Sequence, residues 1–436
     1  MEFRQKHRSK LDTLQNIAIT VLTVTAVLLF LRTQFYTIAP AGGTLDALLN
    51  GPTVVTDGPA SVSGSELRAP VRVAVSGDKT YGRYGSVTTT TADEVFIPLK
   101  TFLQEALGSA RTFTVSDEAT FFAALDRPSV YYDFLEPLPL SVLSGLVGGS
   151  NGQETISARQ LVLSAEESGI VQLIVSDGEG TCFLCDTAVS SSDLANVVNH
   201  FELGSGYFAF DYTVLDGHYS QIAPVSLFLE ELPQLPILSV SSQSPNESEL
   251  LGVLGFNPHT NSRYTEANGT EVVVEGDHSV RFLPEGIIRY KGSDSAASEN
   301  ELTVESANET PSLQEATVGV TDLLNRLLAN YSGDASLYLL NIQRSGNTTT
   351  LQFDYQSGGI PIRQSTGSPA AEVHLVDNRV SSLSLLLRQY AAGSEISLLL
   401  PMKQAVAIAA RQPNQELLIG YTDNGSDTSA AVWLLD

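Results

Sequence analysis

Cysteine is scarce, with two residues in a chain of 436. That excludes a disulfide-stapled scaffold and any zinc fold that needs four thiolates. Basic side chains are few as well: 24 Lys and Arg stand against 49 Asp and Glu, a formal charge of −25. A nucleic-acid binder needs surplus cations to displace condensed counterions, so that class is excluded, and long-range attraction to anionic lipid goes with it. The six histidines (His7, His200, His218, His259, His278 and His374) form no HExxH or other close metal pair. What is present is a 42% apolar content, enough to fill real cores and too much for a disordered chain. At roughly 100–200 residues per domain, the length allows two or three packed domains.

One long uncharged run breaks the pattern. Arg4, Lys6, Arg8 and Lys10 precede Leu14–Leu31, which carries no charge, and Phe35 and Tyr36 follow Arg32. About 18 residues at 1.5 Å each span ~27 Å, close to a bilayer core. The basic flank and the far aromatic pair predict a transmembrane anchor over 14–34, with residues 1–13 cytoplasmic and the remaining chain outside the cell membrane. A cleaved signal peptide is the competing reading, with Ala39-Pro40-Ala41 at small-residue spacing. The proline and the length of the run count against it, and both readings export the body. Within the span Asn16, Thr20, Thr23 and Val27 share one helical face, extended by Gln34. Small and polar side chains on one face are what a partner helix in the membrane packs against, although a threonine hydroxyl also bonds its own backbone.

Beyond the span, 35–65 is rich in Gly, Pro, Ser and Thr and reads as a linker. A first folded region is expected over 66–240. There Val71, Val73 and Val75 alternate as a strand, and Leu99, Phe102, Leu103, Ala106 and Leu107 keep helical spacing up to Gly108. Ser129–Phe134 is β-branched and aromatic, and Leu194, Val197, Val198 and Phe201 mark a helix capped near Ser192 or Asp193. The apolar-free stretch 241–248 predicts a boundary, and 249–436 a second region. Its expected strands are Glu271–Glu275, Val280–Phe282 and Ile287–Tyr290 in a meander, then Leu351–Tyr355, a hairpin around Asp377-Asn378, Glu416–Tyr421 and Ala430–Leu435. Ser312 and Glu315 fit a capping box ahead of the buried stripe Ala316, Val320, Leu323, Leu324, Leu327. Pro401 suits the first position of a helix reaching Ala410. The expected class is therefore α+β: an N-terminal transmembrane helix followed by an exported body of antiparallel sheets with packed helices.

Motifs that would carry chemistry mostly fail on context. Cys182-Phe-Leu-Cys185 lies in a strand-like run, whereas a redox CxxC needs a helix N-terminus. Positions i and i+3 of a strand face opposite ways, ~10 Å apart, so the reading is two structural thiols. A local disulfide in a turn, or metal or redox work, are the alternatives. Gly148-Gly-Ser150-Asn-Gly152 matches G-x-S-x-G without the strand before it and the helix after it that a nucleophile elbow requires. Ser76-Gly-Asp-Lys79 matches S-x-x-K at a turn. Six Asn-x-Ser/Thr sites, at Asn246, Asn268, Asn308, Asn330, Asn347 and Asn424, are no more than a Ser/Thr-rich chain yields by chance. No catalytic, cofactor-binding or metal-binding residue is assigned, and no enzyme activity is expected.

Several stretches resemble the YycH/YycI family, accessory proteins of the WalK sensor kinase in Gram-positive bacteria. Tyr131-Tyr-Asp-Phe-Leu-Glu-Pro-Leu-Pro-Leu140 is similar to that family's strand and helix entry. Tyr264, Glu266, Gly269-Thr270, Val272, Val274-Glu275, Arg281, Pro284, Gly286 and Tyr290 follow its meander. The stretch from Leu351 to Gly420-Tyr421 and Trp433 resembles its closing domain. The likeness is one of loose patterns over most of the chain, and the chain stops soon after Trp433, where relatives carry a further strand. The resemblance implies a non-catalytic regulator with a sensor histidine kinase as partner, and a paralogous accessory protein as a second one. An exported binding module for a cell-envelope ligand is the next reading, and an exported hydrolase the third.

Overall fold

The computed structural model describes residues 70–78, 82–86, 92–149, 151–166, 168–212, 217–242, 245–259, 262–293, 301–306 and 308–435. The expected tail, the span with Asn16, Thr20, Thr23 and Val27, and the whole of the 35–65 linker lie outside them. Among the described residues no helix is long and apolar enough to cross a membrane.

Alternating apolar segments in the first half pair into one antiparallel sheet. Its strands are β1 (Arg72–Ser76), β2 (Arg83–Ser86), β3 (Thr114–Ser116), β4 (Ser129–Pro139), β5 (Ser157–Ala165), β6 (Ile170–Ser176), β7 (Cys182–Ser190), β8 (Gly206–Phe208) and β9 (Leu227–Leu229). They run in the order β3-β7-β6-β5-β4-β1-β2-β8-β9. Because side chains alternate across a strand, each face builds its own core. Val73, Val75, Val130, Tyr132, Leu161 and Leu163 pack with helix α1 (Ala92–Ser109) through Leu99, Leu103, Ala106 and Leu107. Ala74, Tyr131, Val162 and Ile174 face the other way, onto Phe121, Ala124 and Leu125 of α2 (Glu118–Leu125). Helices α3 (Leu140–Leu146), α4 (Ser191–Val198) and α5 (Ala209–Tyr212) complete this half.

The second half opens with β10 (Pro236–Ser241) and α6 (Glu247–Val253), so residues 247 and 248 of the expected linker start a helix. The large sheet follows: β11 (Arg263–Thr265), β12 (Glu271–Glu275), β13 (His278–Phe282), β14 (Ile287–Lys291), β15 (Ala335–Ser345), β16 (Thr348–Ser357), β17 (Ile360–Gln364), β18 (Ala371–Val376) and β19 (Arg379–Leu386), interrupted by helix α7 (Leu313–Leu328). After β20 (Gln389–Ile396) and α8 (Met402–Ala409) come β21 (Leu417–Asp423), β22 (Thr428–Ser429) and β23 (Ala431–Leu435). The order is β11-β12-β13-β14-β19-β18-β16-β17-β21-β23, with β15 also on β16, while β20-β10-β22 form a small sheet. Among the described strands the ladders are antiparallel except β17 with β21; Gly333 adds one isolated parallel bridge to Tyr390. The body is thus α+β with mostly antiparallel sheets. Helix α7 lays its apolar stripe in the same core as Val280, Tyr290, Leu383, Val373 and Leu351.

Local signals resolve slightly differently from expectation. The N-cap of α4 is Ser190, with Asp193 as the reciprocal partner of a capping box. Helix α1 starts at Ala92, runs through Pro98 and ends at Ser109. Pro401 is the N-cap of α8, in extended ψ 135°, rather than its first helical residue. The Ser312–Glu315 capping box forms as read.

The halves share a core. Strand β10 of the first expected region pairs with β20 of the second, and residues from 66–240 and from 249–436 occupy one apolar cluster.

Candidate functional site

Strand β4 shows how one segment joins the halves. Its pairing with β5 jumps from Asp133↔Gln160 to Leu138↔Ala158, so a bulge absorbs the residues between. Leu135 sits in it at φ +70°, a left-handed conformation costly for a branched side chain. The bulge throws Leu135 out of its own sheet into a small cluster with Val71, Tyr338 and Leu418. Glu136 meets Arg363 of β17 at 3.1 Å.

Beside the bulge lies a buried charge network. Arg72 pairs with Asp133 and with Glu416, and Arg159 pairs with Glu416 and reaches Asp133 at 3.5 Å. The Asp133 carboxyl is fully enclosed; it also accepts from Tyr131 at 3.0 Å and from the Leu135 amide at 2.8 Å. Burial opposes its charge, but Arg72 and Arg159 outweigh burial and hold its pKa below the usual carboxylate range. Two arginines against two carboxylates leave the cluster neutral, which is how four charges survive in a core. Glu416 precedes β21, so this network ties the two large sheets together.

The sequence motifs settle into structural work. Asn151, within the G-x-S-x-G match, is buried and donates to the carbonyls of Leu107 and Ala110 at 3.0 and 3.1 Å, closing the end of α1. Its own amide donates to Ser144 Oγ. Ser150 and Lys79 lie outside the described residues. Cys182 and Cys185 are free, buried and on opposite faces of β7. Burial pushes the Cys182 thiol pKa up, against reactivity. His278 meets Tyr290 at 3.2 Å, and His374 bridges Glu372 and Thr350. Among the described residues no group of three or more His, Cys, Asp or Glu is placed to hold a metal ion.

The arrangement best suited to meeting another molecule is a groove on the open face of the large sheet. Two cross-strand rows line it. One is Arg281–Arg289–Ser384–Glu372–Gln352, the other Ser279–Lys291–Ser382–His374–Thr350. The row between them, Val280–Tyr290–Leu383–Val373–Leu351, points to the core. Arg289 and Lys291 of β14 form one wall and Glu372 and His374 of β18 the other. The short serines of β19 form the floor, and the groove encloses about 300 Å³. Two strand spacings set the walls ~10 Å apart. On the acidic wall Gln352 donates to Glu372 at 2.7 Å and His374 Nε2–H donates to it at 3.0 Å, holding that carboxyl below its usual pKa. On the basic wall the Arg289 side chain is exposed, while its backbone pairs with β13 and β19. Three of the chain's 24 basic side chains thus lie on two adjacent strands of a strongly acidic protein. Sequence reading missed the groove, although its signal is visible: Arg, Lys and Ser recur at every second position of β13, β14 and β19, where the pleat puts them on one face.

No protein-family model matches the chain, and no curated protein matches it in sequence.

Proposed function

We propose that the chain is a single-pass membrane protein whose body, outside the cell membrane, regulates a sensor histidine kinase without catalysing a reaction. The observation that carries this reading is the layout of residues 1–34: four basic side chains in the first 13 residues, an uncharged run from Leu14 to Leu31, and an acidic body after it. The pattern likeness to YycH/YycI supplies the kinase and a paralogous accessory protein as partners. Asn16, Thr20, Thr23 and Val27 form the face that meets the kinase's own span. Lipid gives no hydrophobic drive between helices, so close packing and hydrogen bonds decide that contact, at roughly 0.6–2 kcal/mol per polar pair.

The test replaces Asn16, Thr20 and Thr23 together with Leu, and Ala18, Leu22 and Thr25 on the opposite face as the control. Crosslinked membranes should yield less kinase with the first variant and normal amounts with the second, at equal export. A triple-Leu protein that still captures the kinase and signals normally removes the membrane contact from the mechanism.

A further inference from the structure

The groove has a chemical asymmetry that narrows what fits it. Arg281, Arg289 and Lys291 supply cations along one side, and two of them are guanidinium forks that take the paired oxygens of a phosphate or carboxylate. The floor hydroxyls of Ser279, Ser382 and Ser384 donate and accept. The far wall is an acceptor: Glu372 is ionised and already holds two donors, Gln352 and His374, which fix its orientation. A ligand rich in carboxylates along both edges is repelled there. A ligand anionic on one edge and bearing hydroxyl donors on the other satisfies both walls and the floor.

We propose that this groove binds a linear polyol polymer joined by phosphodiesters, held by the local cluster of Arg281, Arg289 and Lys291 against the chain's overall charge of −25. Arg289 and Lys291, two residues apart on β14, lie one strand repeat of ~6.6 Å from each other, and successive phosphates of such a chain recur at a similar interval. Arg281, opposite Arg289 in register and 3.6 Å from Glu266, adds a second guanidinium to the first phosphate. Hydroxyls of the polymer donate to Glu372 and exchange hydrogen bonds with Ser382 and Ser384. Tyr264 lies beyond Val272 on the Arg281 row and is 53% exposed, leaving an aromatic face for a polyol backbone to cover. The proposal stands apart from the kinase reading, since it rests on no residue before 264.

The experiment uses the full chain in detergent micelles and a fluorescent oligo(glycerol phosphate) of about six units, read by anisotropy. Unphosphorylated oligoglycerol and an oligoglutamate of equal charge are the comparison probes. The phosphate oligomer should bind, weaken steeply with salt, and outcompete oligoglutamate by about tenfold or more. R289Q/K291Q should cut its affinity about tenfold or more, and S384L should block the floor. R326Q/K403Q, at cations elsewhere on the surface, should leave binding unchanged, with matching circular dichroism melts for all variants. E372A should narrow the preference over oligoglutamate, because the repelling wall is gone. Equal binding of oligoglutamate makes the groove a site for acidic protein segments and overturns the proposal. Undiminished binding by R289Q/K291Q, or none by the native chain, does so too.

Discussion

Cys182 and Cys185 sit three residues apart on β7 and enter different cores, one on each face of the first sheet. The side-chain period of two makes this unavoidable for an unbroken strand, and it keeps the two thiols from meeting each other. A maleimide probe should therefore find no reactive thiol in the folded chain and two after denaturation. Replacing both by Ala should cost about 1 kcal/mol each in urea unfolding, as for other small core truncations, and leave function intact. A rapidly labelled native thiol contradicts this packing.

The four-charge network yields a sharper stability prediction. Removing one member strands its partners in a site where water does not reach. Arg72→Met leaves Asp133 and Glu416 facing each other across Arg159, and should cost ~3–5 kcal/mol. Asp133→Asn keeps the acceptor for the Leu135 amide but unbalances the charge, and belongs to the same range. The pair R72M/D133N restores one cation against one anion, so it should lose less than the sum of the singles. Additive losses in a double-mutant cycle would show that the two side chains do not interact.

Asp354, on β16, predicts a pH dependence of opposite sign from an acid whose ion pair outweighs its burial. Burial raises its pKa from 3.8 to about 6; the Ala370 amide at 3.0 Å and Arg363 at 3.8 Å only partly offset that. Arg363 is shared with Glu136. Between about pH 4 and pH 6 the folded chain keeps a proton that the unfolded chain has released, so stability falls as pH rises through this window. Asp354→Asn keeps the acceptor for Ala370 and cannot ionise. It should stabilise the fold by ~1–2 kcal/mol at pH 7.5 and by little at pH 4. Equal effects at both values would assign the change to something other than ionisation.

The parts of this fold legible in the sequence are those fixed locally. Ser312 and Glu315 cap α7 as their spacing requires, and the meander β12–β14 follows turn residues and alternation. Asp377, at φ +56°, turns the hairpin that Asp-Asn suggested. The parts not legible are set by distant partners. Nothing near Glu416 announces that it meets Arg72 and Arg159, some 340 and 260 residues earlier. Ser129–Phe134 reads as a strand, but nothing in it announces the bulge just beyond, which sends Leu135 to Val71, Tyr338 and Leu418. The groove needed register: each of its strands looks like an ordinary half-exposed strand until the pairings set Arg281 beside Arg289 and Ser384 beside Glu372.

Topology carries the last prediction, because the anchored reading depends on which side of the membrane the body occupies. The native thiols are buried, so single reporter cysteines can be added and compared with the parent chain as the labelling blank. Val115, on β3, is 81% exposed and belongs to neither the charge network nor the groove. Val115→Cys should react with a membrane-impermeant maleimide on intact cells. Ser9→Cys, on the basic side of the uncharged run, should react only after the membrane is opened, since basic flanks stay cytoplasmic. A protein released to the medium and labelled at both positions would instead mean that the span does not hold the chain. Labelling confined to Ser9→Cys would place the body inside and end the regulatory proposal in its present form.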